Sequence, residues 1–233
     1  MNLGNLRTLA RFYMSTLTTS KASNTVIDLI LNEGTLDVAH RLGCLKAIQN
    51  FNATADTGEY RLSSVLTRYL DIGDEGIWWN DGTTWEEIEP KTIKALDNFF
   101  PRWRDDDSGD PQRYALHGDL FIPHPTPDTT LANGFKAYFI QRPPTMTADA
   151  HFPFPVGDTQ AGTERSDLAI LSDSIILYCQ WKVLYALNKQ VEAHEKHIAY
   201  FEDIEAKRRM IGLRRDIGHS DMTAFKGPRV SSE

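Results

Sequence analysis

Apolar residues sit at helical spacing near the start of this chain, alternate or cluster briefly through its middle, and return to helical spacing towards its end. The first helix is expected from about Asn5 to Leu17. Polar residues from Ser20 to Asn24 then supply capping groups. A second helix, near residues 23–43, places Ile27, Leu31, Gly34, Val38 and Leu42 on one face. A glycine in mid-helix costs about 1 kcal/mol relative to alanine, so close approach of a neighbouring helix is the expected reason for Gly34. Gly43 stands where a C-terminal cap belongs.

The period then changes. Ala47 to Ala53 alternates, and Tyr60 to Ile72 holds two short strand candidates. Ile77-Trp78-Trp79, Asn80-Asp81-Gly82 and Thr84-Trp85 read as a hairpin, because Asp-Gly suits a tight turn. Pro90 to Phe99 reads as a short helix with proline at its start. Arg113 to His117, a Gly118-Asp119 turn and Leu120 to Pro123 form a second hairpin, and Phe135 to Ile140 the last strand. Prolines 123, 125 and 127 put that segment on an edge or outside the sheet.

After a loop from Thr145 to Gly162, helical spacing resumes near residues 165–188. Ile170, Leu177, Trp181 and Leu184 form one stripe; Leu168, Leu171, Ile175, Tyr178 and Tyr185 form another. Two apolar faces imply a central helix packed on both sides. A break is expected at Asn188 to Gln190. A final helix near 191–211 then presents Val191, His194, Ile198, Phe201 and Ile204 on its packed face. Its solvent face carries Glu192–Lys196, Asp203–Lys207 and Glu205–Arg209, each acid four residues before its base. From Gly212 onward the periodicity fades, and an arm is expected.

The fold class is therefore α+β: a helical bundle with a small antiparallel β subdomain inserted in it. The expected division is 1–45 for the first helices, 46–144 for the β subdomain, 145–163 for a loop, 164–212 for the last helices and 213–233 for an extended C-terminal arm. A chain of 233 residues buries a core without cross-links. Its two cysteines, Cys44 and Cys179, fall in helical segments and read as buried thiols in a reducing compartment. Leu168 to Leu187 is the most apolar stretch, but Asp173 and Lys182 interrupt it, which makes it a core helix and not a membrane span.

The formal net charge of -7 argues against a DNA-binding protein of the usual basic kind. The charge is uneven. From Lys207 onward seven Lys or Arg face three Asp or Glu, a balance of +4, which leaves -11 on the rest. A basic end on an acidic body favours docking on another acidic surface over contact with DNA.

Catalytic signatures are sparse. His194-Glu195-Lys196-His197 has its histidines three apart, whereas the helical zinc motif needs four, so it reads as a solvated face. Asp105 to Asp110 lacks the alternating ligands and distal glutamate of a calcium loop. The sequence has no Gly-x-Ser-x-Gly, phosphate loop or dinucleotide fingerprint. The expectation is no enzyme, no cofactor and no metal. Trp78, Trp79, Trp85 and Trp103 divide between core and interface anchors, about two of each.

Helices flanking a β insertion, with Trp103, Gly109-Asp110-Pro111, Tyr114, Gly118-Asp119 and Pro123-His124-Pro125 in that order, resemble the head-to-tail adaptor (connector, or head completion) proteins of tailed bacteriophages. The likeness spans about Ile27 to Ile211. It includes Asn32-Glu33 on a helix leading to a strand, Tyr60-Arg61-Leu62, a short acidic helix ending at Trp103, and Tyr138 with Arg142-Pro143-Pro144 at the last strand. The break at Asn188-Lys189-Gln190 is shorter than the family's, and the first helix and the tail past Gly212 lie outside the likeness.

The resemblance implies a virion structural protein in the neck. It would form a ring, a dodecamer in the family, beneath the portal protein, and meet further neck or tail proteins below. Genomic DNA would pass through the lumen without specific binding. No membrane is involved, and assembly would take place in the host cytoplasm. Such adaptors use a C-terminal arm to grip the portal, so the expected docking residues are Arg208, Arg209, Arg214, Arg215, Phe225 and Arg229. Two alternatives remain: a tail-side completion or terminator ring, and a phage-encoded enzyme or nucleic-acid accessory protein.

Overall fold

Gly34 decides how the central helices meet. A Cβ at this position would lie 2.9 Å from Cδ1 of Tyr178, so only glycine admits the tyrosine ring at this distance. The two residues belong to helices α2 (Asn24–Leu42) and α5 (Ser172–Ala186). A computed structural model describes residues 1–14, 22–100, 103, 107–157 and 162–223, the last twelve of these as backbone alone. It divides into a helical unit, 1–42 with 144–233, and a β unit, 43–143.

In the helical unit, α1 (Leu3–Tyr13) starts where the Asn2 side chain accepts from the Asn5 amide, and buries Leu3, Leu6 and Ala10. Residues 15–17 of the expected first helix lie outside the described residues. Helix α5 is buried on two sides, through Ile175, Ile176, Tyr178, Cys179, Val183 and Leu184. It starts later than the 165–188 span implies, because a 3-10 turn (Ala169–Leu171) precedes it. Ile170 and Tyr185, read as packed, are exposed. Asn188, at φ 60°, breaks the chain in the left-handed region and starts α6 (Gln190–Thr223).

The packed face of α6 differs from the apolar reading. Ala193, Tyr200, Ile204 and Lys207 are buried, whereas Val191 and Ile198 are 76% and 45% exposed. The pattern misled because two of the buried side chains end in polar groups that reach partners on other helices, Tyr200 to Asp37 and Lys207 to Ser174. The expected ion pairs shift for the same reason. Glu192 pairs with Lys189 and Glu205 with Arg208, while Asp203–Lys207 forms at 2.8 Å inside the unit and not on its solvent face. Helix α6 also runs to Thr223, so residues 213–223 are helix and not extended arm. Leucine and arginine at 213–215 favour helix enough to offset Gly212 and Gly218. Among the described residues, no helix is long and apolar enough to cross a membrane.

The β unit holds two four-stranded sheets. One, in order β1-β8-β3-β4, is antiparallel: β1 (Lys46–Ala53), β8 (Leu131–Gln141), β3 (Tyr69–Asn80) and β4 (Trp85–Glu87). The Asp81 carboxylate accepts from the Thr83 and Thr84 amides at 2.7 Å each, and Gly82, at φ +97°, closes the β3–β4 hairpin. The other sheet, in order β2-β7-β6-β5, joins β2 (Tyr60–Arg61), β7 (Leu120–His124), β6 (Arg113–His117) and β5 (Glu89–Lys91). It is mixed, because β5 and β6 pair in parallel. Parallel neighbours need a crossover, and α4 (Ile93–Phe99) supplies it. Pro90 therefore lies in a strand, and Thr92 caps the helix. A further single turn, α3 (Leu62–Val65), follows β2. Pro123 sits inside β7 against β6, yet β2 covers only Leu120 and Phe121, so β7 is an edge again where the proline stands.

The sheets enclose one aromatic core: Phe51, Phe135, Phe139 and Trp79 from the first, Tyr60, Tyr114 and Phe121 from the second. On the far side of the second sheet, Ala115 and Ile122 pack against Leu96 of α4 and Trp103. The β unit is thus layered: first sheet, second sheet, α4.

Candidate functional site

The helical unit is fixed by polar bridges between helices. Tyr178 Oη on α5 donates to Glu33 Oε1 on α2 at 2.6 Å, and Lys182 Nζ lies 3.2 Å from the same oxygen. One turn along α2, Tyr200 of α6 donates to Asp37, which also accepts from Arg41 Nε at 2.6 Å. Burial, with the bond to Glu33 second, raises the Tyr178 phenol well above its ordinary pKa; burial and Asp37 do the same to Tyr200. Lower down, Lys207 Nζ donates to Ser174 Oγ at 2.9 Å and to Asp203 Oδ2 at 2.8 Å. Ser174 Oγ in turn donates to Asp203 Oδ2 at 2.6 Å.

These bridges place the basic end of α6. Lys207 does not belong to a basic surface, because it is buried. Arg208 pairs with Glu205 and donates from Nη2 to the Arg41 carbonyl at 3.1 Å, so it caps the C-terminal end of α2. Arg209 is exposed. Arg214 and Arg215 lie on the helical backbone of α6, with side chains outside the described residues, as are Phe225 and Arg229 altogether. At Lys207 and Arg208 the helix has reached both the start of α5, at Ser174, and the end of α2, at Arg41. The fifteen residues of α6 that follow Arg208 outrun both neighbours by about 22 Å at 1.5 Å per residue.

A second surface lies on the outward face of the first sheet. Strand register sets Ile48 opposite Tyr138, Lys136 opposite Trp78, and Asn80 opposite Trp85. Lys136 Nζ stands 3.9 Å from the Trp85 ring centre and 5.8 Å from that of Trp78. Trp79 and Trp103 are buried, so the four tryptophans divide two and two. Sequence reasoning missed Ile48, Lys136 and Tyr138. The signal was that Tyr138 and Ile140 are apolar on the face opposite Phe135, Ala137 and Phe139, which a strand buried on one side does not need.

An open groove of about 520 Å³ lies over Trp181, Tyr185, Gln190, Ala193, His194 and His197. The His197 ring packs 4.2 Å from Trp181 and 4.8 Å from Phe201, so it belongs to the helix seam and not to a solvated face. Its ring centre is 6.5 Å from that of His194. Among the described residues, no three His, Cys, Asp or Glu side chains converge as metal ligands. Residues 105 and 106 of the acidic run lie outside the described residues; Asp110 accepts from Trp79 Nε1 at 3.2 Å. Cys44 and Cys179 are buried, neither in a disulfide, and burial pushes the Cys179 thiol up to about 12. A thiol so held is a poor nucleophile at neutral pH. No family model matches this chain, and no curated protein matches it.

Proposed function

We propose that this chain is a head-to-tail adaptor of a tailed bacteriophage. It forms a ring below the portal protein, joins the DNA-filled head to further neck or tail proteins, and lets genomic DNA pass through its lumen. Its role is structural and not catalytic. The observation that carries the reading is the helix that outruns its bundle and carries three arginines against two aspartates on the overrun, in the order helix, β insertion, helices already noted in the sequence. Arg209, Arg214 and Arg215 stand on that overrun, and they meet acidic portal surface in this reading. An acidic body suits the lumen, because repelled phosphates slide.

The test is attachment of purified protein to DNA-filled, tailless heads. The full chain attaches and retains DNA. A chain lacking residues 213–233 stays folded and does not attach. Attachment through exposed arginines also weakens with salt, because the screening length falls from about 10 Å at 0.1 M to about 3 Å at 1 M. Normal attachment of the truncated chain removes α6 as the clamp. Binding to isolated tail tubes and not to heads turns the reading to a tail-side ring.

A further inference from the structure

Within the helical unit, the stretch from Met146 to His151 forms a strap between α2 and α1. Asn32 of α2 holds its start: Asn32 Nδ2 donates to the Met146 carbonyl at 3.0 Å, and the Met146 amide donates to Asn32 Oδ1 at 2.7 Å. The strap then carries the first turn of α1. The Leu3 amide donates to the His151 carbonyl at 2.8 Å, and the Gly4 amide to the Asp149 carbonyl at 3.1 Å. First-turn amides have no acceptor within their own helix, and here the strap supplies two. The approach is close, since a Cβ on Gly4 would stand 3.2 Å from Cβ of Asp149. One half-buried side chain shapes the strap. His151 turns back, and its Nδ1 accepts from the amides of Thr147 at 3.0 Å and Ala148 at 3.2 Å. Two donors on one ring nitrogen mean that the proton of the neutral ring sits on Nε2.

We propose that His151 is a pH-sensitive latch for α1. Histidine changes charge between about pH 8 and 5. A proton on Nδ1 turns the acceptor into a third donor aimed at two others. The turn over residues 147–151 then opens, and the carbonyls of Asp149 and His151 leave Leu3 and Gly4. Helix α1 loosens from α2 and α5, where it buries Leu3, Leu6 and Ala10. The neutral ring is the bonded form, so the hold is full at the upper end of that range and is lost as pH falls through it. Among the described residues, the charged groups at this end of α1 are the Met1 amine and Arg7 on α1, Asp28 on α2, and Asp149 and Glu164 beyond β8. Arg7 joins Asp28 and Asp149, and the amine joins Glu164. Farther along, Arg165 joins Asp167. His40 belongs to the last turn of α2, two turns past Asn32. The latch belongs to the helical unit alone and holds with or without a ring.

The test is hydrogen exchange of the full chain at about pH 7.5 and about pH 5, with labelling times scaled to the intrinsic rate. In the wild type, protection of residues 6–13 and 147–151 falls at least about tenfold at the lower pH, while α5 stays protected. His151→Asn places an amide oxygen on the atom that bears Nδ1, an acceptor that does not titrate, and keeps α1 closed at both pH values. His151→Ala removes the acceptor and leaves α1 open at both. Every other titrating group is present in both variants, so their shared response to acid is subtracted. A wild-type α1 equally protected at the two pH values overturns the latch. A fall of wild-type size in both variants also overturns it, as does an alanine variant as well protected as the wild type at the higher pH.

Discussion

The two units stay folded by different means. The helical unit carries tyrosines and a lysine in its seams: Tyr178 ends on Glu33 and Tyr200 on Asp37 of a neighbouring helix, and Lys207 ends on Ser174 of α5 and on Asp203 of its own helix. The β unit is closed by rings on rings, with Phe135 within 5.1 Å of Phe51, Trp79 and Phe121, centre to centre. Apolar packing is non-directional and tolerates a change of rotation. A phenol that donates to a carboxylate is directional, and leaving its partner unsatisfied is costly. The bundle therefore has a specified helix register, which is what aiming the end of α6 requires. The β unit has aromatic residues beyond its core's needs, and they face outward.

The largest effect that sharpens this contrast is loss of a ring from the β core. Phe135→Ala is expected to cost about 3–5 kcal/mol. Hydrogen exchange read unit by unit shows the loss in residues 43–143, with amides of α2 and α5 still protected. Equal loss in both units means they unfold together, and the contrast fails.

The next effect belongs to the bundle. Asp203→Ala leaves Lys207 buried, its side chain 7% exposed, without its countercharge. Breaking a buried pair costs about 3–5 kcal/mol. Asp203 itself keeps 26% exposure, so about 2–3 kcal/mol is expected here. The double change Asp203→Leu with Lys207→Met restores most of that stability in denaturant unfolding. A double variant no better than the single one shows that Asp203 acts through packing and not through charge.

Legibility in the sequence follows the same contrast. Most of the β strands, both hairpins and the turn at Gly82 were readable, because alternation and turn residues report local geometry. Gly34 was readable as a close approach, although its partner, Tyr178, was not. The face of α6 was misread because a buried Lys207 looks like surface until Ser174 and Asp203 stand beside it. Asp203 was legible at four residues' spacing, but Ser174 lies 33 residues away, and no period reports such a partner. The parallel β5–β6 pair was missed for a related reason, since three-residue strands carry no alternation. Of the expected docking residues, Arg208 proved to be a helix cap, and the outward sheet face was visible only through Trp78 and Trp85.

The smallest effect is also the most specific to the bundle. Tyr178→Phe and Tyr200→Phe each remove one hydrogen bond to a carboxylate that keeps a cation nearby, Lys182 for Glu33 and Arg41 for Asp37. About 1 kcal/mol is expected from each. Their pH signature separates this from packing. Both phenols titrate above their ordinary value of about 10 in the folded chain, chiefly through burial. The folded state thus keeps protons that the unfolded chain gives up, so stability is full below about pH 10 and falls as pH rises beyond it. Cys179, raised to about 12 by burial, adds a fall of the same sign that starts lower, near the pKa of an exposed thiol. Denaturant unfolding of the wild type therefore loses stability from about pH 9 upward. With phenylalanine at 178 and 200 that decline is shallower, and the shares of Cys179 and of Tyr60, Tyr69 and Tyr114, which burial also raises, remain. If the wild type and the double phenylalanine variant decline in parallel, the phenols are not what ties α5 and α6 to α2, and the bundle is held by apolar packing as the β unit is.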